Sequence, residues 1–311
     1  MRASDLRAAR QVLAPRAAST RGGAASIARR LRLPLATPAA LLGATLLALT
    51  AGAALFGPAL APYDPSVTVA APYLAPSQQH WLGTNDVGQD IFSELLVGAR
   101  VSLTIGLLAA FAAVTLGTAV GVLAGTARGW LDVVLMRITD VVLTLPFLPL
   151  VIVLAAFLGP SVATTATVLT LVIWARPARV VRSQALSVSA HAYVEAAHAL
   201  GGRPSHVLRT HVLPAVLPVA LSQFIVAVSG AVLAEASLAF LGLGDPLQKS
   251  WGTILFYAQT RGAFLTGSWP WWVLPPGLAI AATVLGFALV GRSLEGALMP
   301  RVRDHAGRTG R

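Results

Sequence analysis

The sequence predicts an all-α polytopic membrane protein with six transmembrane helices, and three observations lead there. Apolar residues make up 56% of the 311-residue chain and charged residues 11%, whereas a soluble domain carries about a quarter charged. The apolar residues gather in long uncharged runs instead of alternating with polar ones. The positive charges, all arginine except Lys249, fall between those runs, where such residues report topology. Length alone would allow two soluble domains, but runs of this kind make one membrane domain.

A spanning helix needs about 20 predominantly apolar residues. The first such run, 39–60, holds no charge. The second, 101–125, is rich in Gly, Ala, Leu and Val, and the third, 141–158, starts just after Asp140 and carries Pro146 and Pro149. Prolines are tolerated in membrane helices where neighbours satisfy the freed carbonyls. The fourth, 161–175, is short and follows Gly159-Pro160, a tight turn between antiparallel spans. The fifth and sixth cover 218–240 and 273–290.

Arginine placement orients these spans. Eight arginines precede the first run, none lies in 61–99, and the connections after the second and fourth runs and the C-terminal tail are arginine-bearing. Alternating the spans puts 20 of the 23 positive charges inside, leaving Arg100, Lys249 and Arg261 outside. Both termini are then cytoplasmic. The expected divisions are an Arg-rich tail over 1–38, a first helix with its external segment over 39–100, a core over 101–291 holding a cytoplasmic loop at 176–214, and a tail over 292–311. The arginine-rich start also admits a targeting peptide, with Arg29-Arg30 loosely like a twin-arginine signal. The first apolar run is about twice a signal's hydrophobic region, which favours an uncleaved tail.

The loop is unlike a solvated linker. Residues 190–200 favour helix, with Tyr193, Ala196, Ala197 and Leu200 as one apolar stripe. Ser189 is placed to cap the start, and Gly201-Gly202 to end it in a left-handed cap. Pro204 suits the first turn of another short helix, which Pro214 would interrupt. A partner protein could seat such a helix in a groove by its apolar face.

In letters the loop is Glu195-Ala196-Ala197, three residues, Gly201, nine residues, then His211-Val212-Leu213-Pro214. This resembles the EAA loop of binding-protein-dependent ABC importer permeases, and His211 is similar to the peptide and nickel branch, of the oligopeptide/dipeptide permease C type. The resemblance extends through Leu60-Ala61-Pro62-Tyr63-Asp64-Pro65, Trp81-Leu82-Gly83-Thr84, Gly98-Ala99-Arg100, Glu235-Ala236-Ser237 with Ser250-Trp251-Gly252, and Pro276-Gly277-Leu278, in the same order along most of the chain. It implies a type I ABC importer permease-like fold in a bacterial inner membrane and import of peptides or similar small solutes. It implies four partners: a second homologous permease, two cytoplasmic ABC ATPase subunits and an extracytoplasmic solute-binding protein. The ATPase-coupling residues would be Tyr193, Glu195, Ala196, Ala197, Leu200, Gly201, His211, Leu213 and Pro214. The chain departs from the family at Gln89 and Glu94, where basic residues are common, and at Ala215, where Asn is usual.

Other chemistry is thin. The chain has no cysteine, which removes disulfides, thiolate metal sites and Cys nucleophiles. No phosphate loop, HExxH or GxSxG occurs, so no catalytic residue, cofactor or metal is expected and ATP hydrolysis falls to a partner. The loop histidines 191, 198, 206 and 211 read as solvated, with His191 and His198 placed to pair with Glu195. The net charge of +11 lacks the soluble basic face that nucleic acid would need; its partner is membrane lipid. Glu235, an intramembrane carboxylate, is a candidate polar site, with a structural hydrogen bond as the alternative. Trp269, Trp271 and Trp272 read as an interfacial belt. An ion-driven transporter would need charges deep in several spans, and only Glu235 and Asp140 qualify.

Overall fold

The computed structural model describes residues 37–127 and 129–298, and every extended element among them is helical. The eight N-terminal arginines, Arg128 and the arginines from 301 onward lie outside the described residues. Among the described residues four helical stretches are long and apolar enough to cross a membrane, or five if a bent pair counts as one span.

Helix α1 (Pro38–Leu60) starts at Thr37, whose hydroxyl accepts from Ala40 N, with Pro38 in its first turn. It is apolar nearly all round and buries only Ala40, Gly43, Thr50 and Gly57, so most of its surface is left for lipid. Helix α2 (Ile91–Ala127) has 37 residues, about 55 Å at 1.5 Å per residue. It begins ten residues before the apolar run at 101. Asp90 makes this possible: its carboxylate caps the helix by accepting Ser93 N at 2.8 Å, while its other oxygen lies 2.9 Å from His80 Nδ1.

The run 141–158, expected as one span, is two helices. α3 (Trp130–Thr144) and α4 (Phe147–Leu158) meet at 93°. Pro146 bars Leu145 from the helical region, and Leu145 accordingly sits at φ −74°, ψ 137°. α5 (Val162–Ile173), capped by Ser161 Oγ on Thr164 N, has only 12 residues. Trp174 keeps helical angles and leads directly into α6 (Ala175–Ser189). After the loop come α7 (Ala192–Ala199), α8 (Pro204–Val207), a π-helical turn (Leu208–Val212), α9 (Leu213–Leu238) and a second π-helical turn (Ala239–Leu243). α10 (Trp251–Thr260), α11 (Trp269–Trp272) and α12 (Leu274–Leu298) complete the described chain.

α2 is the central post, with α1, α5, α6 and α9 packed on it. Its tightest seam is with α5–α6. A Cβ on Gly117 would lie 2.6 Å from the Trp174 carbonyl oxygen, one on Gly121 2.5 Å from the Ala178 carbonyl oxygen, and one on Gly125 2.7 Å from Ala185 Cβ. The positions rise together along both helices, so the two run parallel. Glycine every fourth residue lets the backbones approach closely, as membrane helix pairs require.

The N-terminal end of α2 carries a polar cap. Lys249 Nζ donates to Glu94 Oε1 at 2.7 Å and Gln89 Oε1 at 2.9 Å, and Asn85 Nδ2 reaches the same Glu94 oxygen at 3.0 Å. Glu94 is 2% exposed, so its charge rests on that lysine. Within 61–90, the Ser66 hydroxyl and N–H both donate to Asp64 and hold its carboxyl below the ordinary range. Trp272 is fully buried and meets Tyr73 edge-on at 6.1 Å. It therefore anchors the cap instead of forming a lipid-facing belt, while Trp269 stays partly exposed.

Lys249→Met is expected to destabilise this cap by about 3 kcal/mol, because a buried carboxylate loses its cation. The open population rises by roughly a hundredfold, read as faster limited proteolysis within 61–90. Adding Glu94→Gln recovers most of the protection. A Lys249→Met protein as resistant as the parent would show that the pair does not hold the cap.

Candidate functional site

α7 hangs at the opposite end of the bundle, beyond the C-terminal ends of α2 and α6. Ser189 does not cap it, being the last residue of α6; Ala190 and His191 form the turn, and His191 is the uncapped N-cap. Val194 anchors α7: it is fully buried in a core with Val122, Val188, Val207 and Val212. Ala197, one turn on, packs partly on the same core. The expected stripe therefore divides. Ala197 faces inward beside Val194, while Tyr193 (49% exposed), Ala196 and Leu200 (89% exposed) face outward.

The end of α7 follows the glycine expectation. Gly201 lies at φ +81°. Its N–H bonds to the His198 carbonyl at 3.0 Å, and Gly202 N–H reaches back to Ala197 O at 3.0 Å, the paired closure of a Schellman cap. An added Cβ at Gly201 would meet nothing, whereas one at Gly202 would lie 2.6 Å from Ala197 O. Gly201 is needed for its angles and Gly202 for room. Pro204 then opens α8, as its fixed φ favours.

Pro214 does not interrupt the chain. The preceding turn widens to π geometry, with Leu213 N–H reaching Leu208 O, and helix continues into α9. A π turn takes up a mismatch in the backbone ladder without a break. His211 lies in that turn, and Tyr193 sits between it and His191, ring centroids 5.8 and 5.5 Å apart. Leu213 is half-buried at the start of α9 and Pro214 beside it is exposed.

The imidazoles do not pair with Glu195. His191 Nδ1 lies 2.8 Å from Ser187 O and His198 Nδ1 3.0 Å from Val194 O, so each caps a backbone carbonyl. Glu195 is exposed and has no ion pair among the described residues. An outward apolar patch beside a free carboxylate is a surface that another protein can cover.

Glu235 lies elsewhere, on the far half of α9. It is 2% exposed, and its Oε2 accepts from Ser102 Oγ at 3.0 Å. Ser250 also bonds to it, and Ser102 Oγ accepts Trp251 N–H at 3.1 Å. The carboxylate thus ties α2, α9 and the start of α10 together, the structural alternative for this residue. Sequence reasoning missed Val194 and the seam glycines. Gly117-x-x-x-Gly121-x-x-x-Gly125 was the available signal for the seam.

A family model described as the binding-protein-dependent transport system inner membrane component matches residues 117–304. The chain is 36% identical over 230 residues to the dipeptide transport system permease protein DppC of Alkalihalophilus pseudofirmus, covering 74% of each. It is 36% identical over 229 residues to the oligopeptide transport system permease protein OppC of Bacillus subtilis, covering 73% of this chain and 74% of that one. It is 35% identical over 232 residues to the glutathione transport system permease protein GsiD of Pectobacterium atrosepticum, covering 74% of this chain and 75% of that one.

Proposed function

The chain belongs to the family of binding-protein-dependent transport system inner membrane components, and from that membership we propose its role: the permease subunit of an ATP-driven importer of peptides or similar small solutes, driven through α7. The observation that carries this reading is the division of α7 into an anchored face at Val194 and an open face at Tyr193, Ala196 and Leu200. Two cytoplasmic ABC ATPase subunits dock on the loop 176–214, one on this chain and one on a second homologous permease. An extracytoplasmic binding protein delivers the solute to the opposite end. Closure of the ATPases on ATP moves α7, and the Tyr193–His211 contact passes that movement to the root of α9.

Six spans suit this role: α1, α2, the bent α3–α4 pair, α5 with the first turns of α6, α9 and α12. The unbroken angles at Trp174 support counting the short α5, since 162–189 then measures about 40 Å. The arginine-rich tails, both termini and the loop from the later turns of α6 to 214 lie in the cytoplasm, and 61–90 faces outside. The relatives named for dipeptides, oligopeptides and glutathione support a peptide-like solute.

Purification of this chain from membranes with its neighbouring gene products tests the role. Two ATPase subunits are expected to co-purify, and loaded binding protein to stimulate ATP hydrolysis. Cysteines at 75 and 205 are expected to react with an impermeant thiol reagent from outside and inside, respectively. A complex without ATPase subunits, or reversed labelling, would sink the assignment.

A further inference from the structure

A cleft of about 470 Å³ runs along α9, between the α3–α4 elbow and the α5–α6 junction. Its walls are mostly apolar, with Leu145, Phe147, Val172 and Leu233 among them. Three lining side chains break that pattern, Arg176, Gln223 and Ser237, and the Ser237 hydroxyl already donates to Leu233 O. Arg179 and Arg182, on the following turns of α6, are neutralised by Asp140 and Asp132. Arg176 has no ion pair or hydrogen bond among the described residues, and neither does the Gln223 carboxamide.

The cleft face of α9 carries Gln223, Gly230 and Ser237 at seven-residue spacing, which aligns them along the span. A Cβ on Gly230 would meet nothing within 4 Å, so the cleft is open at mid-length. A glutamine and a guanidinium turned to hydrocarbon would each carry a desolvation cost with no return. Their placement in one open cleft implies a polar occupant. Its apolar walls and single uncompensated cation define that occupant as partly apolar and negatively charged.

We propose that this cleft is the chain's share of the solute path, and that Arg176 and Gln223 hold the free carboxylate of the passing solute. The guanidinium offers a planar pair of N–H donors that matches a carboxylate, and the Gln223 amide adds a further N–H. The apolar walls accept uncharged side chains. This rests on the importer reading and adds a solute class to it: molecules with a free carboxylate.

The absence of cysteine from the chain makes a direct test possible. Gly230→Cys is introduced alone into the assembled importer, with its other subunits cysteine-free, in proteoliposomes. It is treated from both sides with sulfonatoethyl or trimethylammonioethyl methanethiosulfonate, similar reagents of opposite charge. Rates are expressed relative to those with a free thiol in solution. The anionic reagent is expected to be favoured about tenfold, the scale of one uncompensated charge nearby. Arg176→Gln should abolish that preference and Arg176→Lys should retain most of it. Leu221→Cys, exposed on α9 but outside the cleft, should react with neither reagent.

Alanyl-alanine should slow the modification of Gly230→Cys more than its amide does. A cleft filled by lipid or by a partner helix would leave Gly230→Cys unreactive and overturn the proposal. So would equal relative rates for the two reagents, or a preference that survives Arg176→Gln. ATP-dependent solute uptake by vesicles holding the unsubstituted chain is scored separately. If uptake is intact and the charge preference absent, only the carboxylate station falls; if uptake is absent, the importer reading falls with it.

Discussion

Leu200→Glu is expected to leave the chain folded and inserted while abolishing solute uptake. Leu200 is 89% exposed, so the substitution removes almost no contact within the chain, and surface changes of that kind stay within about 0.5 kcal/mol. In the docked complex the same side chain would enter an apolar groove, where an unpaired carboxylate is strongly disfavoured. A central apolar anchor of this type contributes about 2 kcal/mol or more, so ATPase attachment should weaken by at least about thirtyfold. The readout is the amount of ATPase retained by the purified permease, together with stimulated ATP hydrolysis. Gly201→Leu gives a graded companion. Its φ of +81° strains any residue with a Cβ, yet that Cβ would touch nothing. The cost is about 1–2 kcal/mol in the cap, so partial uncoupling is expected. Normal uptake and ATPase retention in both variants would remove α7 as the coupling element.

Gly121→Val should fail earlier, at assembly. The new Cβ would lie 2.5 Å from the Ala178 carbonyl oxygen and 2.9 Å from Arg182 N. Both are backbone atoms of a helix held on its other side by Asp132, which accepts from Arg182 Nε and Nη2 at 2.6 Å each. Neither can step aside as a flexible side chain would. Overpacking at one site costs about 1–3 kcal/mol when neighbours can shift, and backbone contact puts this site at the upper end or beyond. Membrane-inserted, protease-resistant protein should fall to about a tenth or less. Gly52→Ala is the control: its Cβ would meet nothing, and the change should be neutral or mildly stabilising. Equal accumulation of both variants would show that α2 and α6 are not in close contact in the membrane.

What could be read from the sequence alone followed distance along the chain. The turn at Gly201 and the helix start at Pro204 depend on local backbone geometry, and both are as expected. The length of α2 was not legible, because Glu94 reads as a break in an apolar run until Lys249, 155 residues away, is seen beside it. The elbow after α3 was half legible. Pro146 marks a disturbance, but the 93° turn also depends on what packs on either arm. Val194 was overlooked because four other apolar residues in α7 share the helical period, and only the buried valines of the neighbouring helices select it. The loop histidines were paired with the wrong atoms. Glu195 lies within reach in sequence, but the backbone carbonyls of Ser187 and Val194, one turn away, were better placed.

The π turn at Leu208–Val212 also acts as a phase setter. It holds one residue more than an α-helical turn would need, and each residue of an α-helix advances the azimuth by about 100°. The side chains of α9 are therefore indexed to α7 through that surplus residue. Closing the same residues as ordinary α-helix, with none removed, would turn everything downstream by roughly a quarter of a revolution, with a shift of about 1.5 Å along the axis. Gln223, Gly230 and Ser237 would swing out of the cleft they line together, and Glu235 would leave Ser102. One widened turn next to α7 thus decides which azimuth of the 26-residue α9 faces the interior.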